Sequence, residues 1–222
     1  MNDWIKVTTA ESWAFGANEA AVVNPACKFV PTPELERAFP KLSELLSAAR
    51  CSSVTFGGDD YILYSWGASS IVRAWLSPVV DGLAHQGACP AHQKLLAEFG
   101  GIRERYNEPE GNWLLNHNEA WVAAGPQSDV SFMKDYEWVF EECGGIPIDL
   151  ENHYVVAWEA NGNVVICSRS SGKLLFFAPD HANPNLLPFG PCPMYSLHIH
   201  REVPDFCSWV EAIADQWLRS AG

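Results

Sequence analysis

Between His153 and Ala178 the chain alternates short apolar runs with turn residues, and this pattern limits the fold more than any other stretch. Tyr154–Ala160 and Val164–Arg169 are rich in β-branched and aromatic residues, which favour strands. Asn161-Gly162 lies between them and accepts positive φ at both central positions of a type I′ turn, so a two-residue hairpin is expected. Ser170-Ser171-Gly172 then turns the chain into Lys173–Ala178, which completes an antiparallel meander. After it, Asp205 reads as the cap of a helix running to Ser220. Phe206, Trp209, Val210, Ile213 and Trp217 recur at helical spacing on one face, while Glu211, Asp215 and Arg219 take the other.

Upstream, Thr32-Pro33-Glu34 carries the marks of a helix start: a hydroxyl cap, proline at the first position and an acid in the first turn. Leu35, Phe39, Leu42, Leu45, Leu46 and Ala49 continue at helical spacing, with Pro40 as a kink or break. Val54–Phe56 and Tyr61–Tyr64 flank Gly57-Gly58-Asp59-Asp60 and predict another hairpin. Ile71–Leu76 reads as a helix stopped by Pro78. Ala91–Phe99 reads as a short helix stopped by Gly100-Gly101. Loops are expected over 107–127 and 180–193. The Gly- and Pro-bearing stretch Gly82–Pro90 is the best internal boundary. It divides an α+β extension over 1–89, readable as part of the same domain, from a main domain over 90–222. The fold class expected is α+β, an antiparallel meander sheet with flanking helices.

With 222 residues, 48% of them apolar and 18% charged, the chain can bury a sizeable core. Ten Trp and eleven Phe must largely be buried or form a contact surface. A net charge of -13 repels phosphate backbones and anionic membranes, so neither nucleic acid nor membrane is an expected partner. No signal sequence and no apolar run of about 18 residues is present, and the 7 cysteines are scattered without a Cys-x-x-Cys pair. These features point to a cytoplasmic protein with reduced thiols.

Catalytic signatures are weak. His198-Ile199-His200 on a strand would aim both imidazoles the same way, and His181 and Cys192 could add ligands, which makes a small metal-assisted hydrolase one alternative. Solvated histidines at a strand edge and a structural thiol explain the same residues. No cysteine sits in a nucleophile context: Cys167 falls in a strand and Cys207 in the amphipathic tail helix. There is no Gly-x-Ser-x-Gly elbow, P-loop or dinucleotide fingerprint. Trp66, Trp75, Trp113, Trp121 and Trp138 could line a carbohydrate platform, a second alternative, but core packing accounts for most of them. The expectation is no enzyme, no cofactor and no bound metal.

The order of motifs is more telling. Lys94-Leu-Leu-Ala-Glu-Phe-Gly-Gly-Ile102 precedes Gly145-Ile-Pro-Ile148, the Asn161-Gly162 meander follows, and Val203-Pro-Asp-Phe-Cys-Ser-Trp-Val210 opens the last helix. This arrangement, from Pro90 to Ser220, resembles the SUKH superfamily of bacterial immunity proteins and fungal cell-wall-synthesis regulators. The resemblance implies a non-catalytic α+β module that binds a protein partner, such as a toxin whose active surface it occludes. An acidic chain would complement a basic toxin domain. The expected partner-binding residues are acids displayed on turns and loops: Asp59 and Asp60, and Glu108 and Glu110.

Overall fold

The computed structural model describes residues 3–7, 20–26, 28–67, 71–80, 87–109, 121–122, 129–158, 162–179 and 185–220. It is an α+β fold built on two antiparallel sheets. The first sheet runs in chain order: β1 (Val22–Pro25), β2 (Arg50–Phe56), β3 (Asp59–Trp66), β4 (Arg73–Pro78) and β5 (Glu104–Tyr106). The second comprises β6 (Trp121–Val122), β7 (His153–Trp158), β8 (Val164–Ser168), β9 (Leu174–Phe177), β10 (Leu186–Pro188) and β11 (Leu197–His200). Its spatial order is β10-β11-β9-β8-β7-β6, so β11 inserts between β9 and β10. The expected meander is β7-β8-β9.

Side-chain alternation gives each sheet two buried faces. Tyr64, Trp66 and Trp75 of the first sheet share one core with Tyr154, Val156, Val165, Cys167, Leu174 and Phe176 of the second. Between them lie the apolar faces of α2 (Pro33–Ala38), α3 (Pro40–Ala48), α4 (Pro90–Leu96) and α5 (Phe206–Leu218). On the far side of the first sheet, Val54, Phe56, Leu63 and Leu76 pack with Trp4 and Val7 of α1 (Asp3–Val7). On the far side of the second, Val155, Ile166, Leu175 and Phe177 pack against Met133 and Phe140 of the 3-10 helix Ser131–Cys143. The central core draws residues from both sides of the Gly82–Pro90 stretch.

Local signals place the helices. The Thr32 hydroxyl accepts the Leu35 N–H with Pro33 at the first position of α2. Pro40 breaks rather than kinks the helical pattern, because Phe39 leaves helical geometry at φ −140°. No side chain on its own segment caps α3; instead Glu211 of α5 accepts the N–H groups of Lys41 (3.0 Å) and Leu42 (3.1 Å). The face of α5 opposite its apolar stripe thus anchors another helix. Asp205 and Ser208 form the capping box that starts α5. The Gly57-Gly58 hairpin closes on Phe56↔Asp59 with positive φ at both glycines (61° and 92°), the geometry of a type I′ turn.

Two expectations are corrected. Ile71–Leu76 is no helix: Arg73–Pro78 is β4, bonded to β3 on one side and β5 on the other. A short apolar run cannot signal its own state, and here pairing with two neighbours decides it. The loop expected over 180–193 contains β10, drawn into the sheet by β11. The expected Asn161-Gly162 turn falls between the described pair Trp158↔Val164, and residues 159–161 lie outside the described residues. A bulge between Val155 and Ala157 has already shifted the register. Gly162 does have positive φ (89°), while Asn161 lies outside the described residues. Most of the expected 107–127 loop and of the Gly82–Pro90 boundary lies outside them too. Among the described residues, no helix is long and apolar enough to cross a membrane.

Candidate functional site

Of the four acids expected to bind a partner, the three described ones do not converge. Asp59 and Asp60 are exposed at the start of β3, beside the C-terminal end of β4, where Asp60 Oδ1 accepts the Thr55 hydroxyl at 2.6 Å. Glu108 lies at the opposite end of β4, since neighbouring Asn107 donates to the Val72 carbonyl. Its carboxylate is bound to the guanidinium of Arg105 at 3.0 Å, and the Arg105 side chain is 0% exposed. Glu108 is therefore a counter-ion for a buried cation rather than a displayed acid. Glu110 lies outside the described residues. Glu108→Ala is expected to lower stability by about 1–3 kcal/mol in denaturant unfolding, because it strips a partner from a buried charge.

His198 and His200 do share a face, as strand alternation requires, but that face is the interior one. His198 Nδ1 donates to the Phe176 carbonyl at 3.3 Å. His200 Nδ1 accepts the N–H groups of Glu202 (3.1 Å) and Val203 (3.2 Å), so its lone pair is used in a turn. His181 lies outside the described residues, and among those described no group of three His, Cys, Asp or Glu is placed to hold a metal. Burial holds both imidazoles below the ordinary 6.5. The unfolded chain therefore takes up these protons first as pH falls. Their contribution to stability is full above about pH 6.5 and is lost as pH drops through the lowered folded values. A melting temperature that declines below pH 6.5, less steeply in His198→Asn, is the expected result.

The tryptophans divide in the same way. Trp66, Trp75 and Trp217 form a buried cluster with ring centroids 5.0–5.7 Å apart. Trp138 is exposed, and the side chains of Trp113 and Trp121 lie outside the described residues.

What the fold does assemble is a groove of about 480 Å³ on the outer face of the second sheet, at its β8–β9 turn. Alternation puts His153, Ser168 and Lys173 on the same face as Val155, Ile166 and Leu175, one step nearer the strand ends. The register sets His153 opposite Ser168, and Ser168 N–H bonds the Lys173 carbonyl, so the trio forms a cross-strand row. Facing this polar wall are Ile148, Phe189, Ile199 and Pro204, with Leu175 at the floor. Ile199, between the two interior histidines, points outward and is 37% exposed.

The polar wall is braced internally. His153 Nδ1 donates to the Asp149 carbonyl at 2.6 Å, which leaves Nε2 as the acceptor nitrogen. Ser168 Oγ accepts from Asn152 Nδ2 (3.4 Å), the Ser171 N–H (3.3 Å) and the Ser171 hydroxyl (2.9 Å). Those bonds immobilise Ser168 instead of activating it, while the Lys173 ammonium remains exposed. The arrangement can clasp an amphipathic group between a cationic, hydroxyl-bearing wall and an apolar one. Its size lies within the range of ligand sites. None of the site residues expected from the sequence lies in the meander. The signal was present as polar residues, His153, Ser168 and Lys173, at alternating positions where the same face of the strands otherwise carries apolar ones. No family model, curated protein or solved structure matches this chain.

Proposed function

We propose that the chain is a non-catalytic binding module that seats a segment of a protein partner in the groove beside the β8–β9 turn. The supporting observation is the groove's construction: His153 is bonded to backbone and Ser168 to Ser171, while Ile199 and Phe189 leave an apolar wall open to the occupant. Catalysis would require a base placed to take a proton from a nucleophile, and Ser168 Oγ is instead engaged by Asn152 and Ser171. The SUKH resemblance suggests an immunity role, with a basic toxin domain as partner. The net charge of -13 fits that partner, because it speeds encounter with a basic surface.

Affinity capture from the native cell, run with wild type and with Ile199→Asp, tests the reading. Wild type should retain a stoichiometric basic protein, and Ile199→Asp should lose at least about tenfold in affinity at unchanged melting temperature. Equal retention by the variant would remove the groove as the binding site. Replacing Asp59 and Asp60 by Lys separates steering from seating: it slows association in low salt if these acids guide the partner, and leaves dissociation unaltered.

A further inference from the structure

The apolar wall of the groove exists because two paired strands part company. After His198↔Phe176, β11 leaves β9 while staying with β10 through Leu186↔His200. The chain rejoins β9 only at Asp205, bridged to Lys173, with the Leu174 N–H donating to the Pro204 carbonyl at 3.0 Å. Two residues of β9, Leu174 and Leu175, thus lie opposite six, Ile199 to Pro204, which form a bow. The two ends of that bow, Ile199 and Pro204, line the groove together with Leu175. One side chain ties the bow together. His200 Nδ1 accepts the N–H groups of Glu202 at 3.1 Å and Val203 at 3.2 Å. A ring nitrogen that accepts carries a lone pair, so the neutral imidazole bears its proton on Nε2. The ring is 3% exposed, with Phe176 of β9 at 6.2 Å between centroids.

We infer that His200 is the positioning residue of the groove wall, and that a proton on its Nδ1 releases the bow. The second proton of an imidazolium enters at Nδ1, where it turns the acceptor of both N–H groups into a donor that faces them. Two backbone donors then lose their acceptor, and the turn 201–204 opens to give them to water. Ile199 and Pro204, set by either end of that turn, lose their spacing across the groove. Burial opposes the proton and the Glu202 carboxylate favours it; burial prevails and holds the ring below the ordinary 6.5. Among the described residues, β9 and β10 on either side of β11 contribute only apolar side chains and Pro188. His198, two residues back on the same face, donates to the Phe176 carbonyl, and the Asp205 carboxylate is taken up by Ser208. Lys173 lies across from Asp205 at the far end of the bow. The wall is therefore in place at neutral pH and opens as pH falls through the lowered folded value. Given the binding role proposed above, on which this consequence rests, the occupant is released in acid.

The test is an NMR titration of the free, isotope-labelled full chain between about pH 7.5 and about pH 4.5, the range in which imidazoles change charge. Ring-nitrogen shifts should show the Nε2–H form of His200 at neutral pH. As the ring gains its proton, protection of the Glu202 and Val203 amides against hydrogen exchange should fall at least about tenfold, and the Ile199 methyl signal should move with it. Amides of Val165 and Ile166, on a strand paired from both sides, should keep their protection over the same range. His200→Asn places an acceptor oxygen near the position of Nδ1 and takes no proton there, so its bow should stay closed throughout and its Ile199 signal should not follow pH. Loss of protection at Glu202 and Val203 only together with β8 would overturn the inference. So would a neutral ring protonated on Nδ1, or an Ile199 signal that ignores the His200 titration. These readings come from the wild type and decide even if the asparagine variant does not fold. They also involve no partner: equal capture by Ile199→Asp would remove the groove from binding and leave the His200 pin standing, whereas a bow insensitive to pH would leave the binding role untouched.

Discussion

Replacing Trp209 by alanine is expected to cost about 3–5 kcal/mol of folding stability. The ring is 0% exposed, at the middle of α5 and in the layer between the two sheets. With Leu42, Trp75, Leu95, Phe99 and Ile102 it lines an internal void of only about 20 Å³, so its removal opens a cavity among side chains from four other segments. Those segments are fixed by the sheets and cannot collapse onto it, which puts the cost at the upper end for a large-to-small change. Chemical denaturation with Trp138→Ala as control measures it; the exposed Trp138 ring should change stability by about 0.5 kcal/mol or less. Wild-type stability in Trp209→Ala would mean that the α5 stripe is not the centre of the core.

Gly100→Ala is expected to be nearly as damaging, by about 3 kcal/mol, through the opposite mechanism. A Cβ at this position would overlap the carbonyl oxygen of Pro78 and stand 3.0 Å from its carbon. Both atoms are backbone at the end of β4, whose edge is held by Arg103 N–H to the Leu76 carbonyl (2.7 Å) and by Val79 N–H to the Asp60 carbonyl (3.2 Å). No flexible side chain can yield, so the strand must move or the chain must. Gly100 is thus a point of close approach between the α4–β5 connection and the first sheet, whereas the sequence pattern suggests only a helix stop. Circular dichroism and urea unfolding of the variant give the test, and an unaltered midpoint would show that β4 yields at that contact.

The readable parts share one property: their causes lie within a few residues. Thr32 and Asp205 cap helices through their own first turns, and the stripe from Phe206 to Trp217 repeats at the helical period. Gly57-Gly58 permits its turn by itself. The missed parts depend on partners far along the chain. Whether 71–76 coils or extends was settled by β3 and β5, and β10 exists because β11 pairs with it. Glu108 looks like a displayed acid until Arg105 is found buried beside it.

The candidate site divides along the same line. By itself the sequence determined the strands that build the second sheet's meander, the capped helix that covers its inner face, and the alternation that sends His198 and His200 one way and Ile199 the other. Backbone sterics, side-chain oxygens near helix starts and the two-residue period of a strand require nothing beyond neighbours. Tertiary structure alone decided which face was interior, so that the histidines became core residues and Ile199 a groove wall. It also aligned His153, Ser168 and Lys173 in one cross-strand row. Those outcomes rest on register and on burial between distant segments, because a side chain's surroundings are set by whatever packs against its face and not by the residues beside it in the chain.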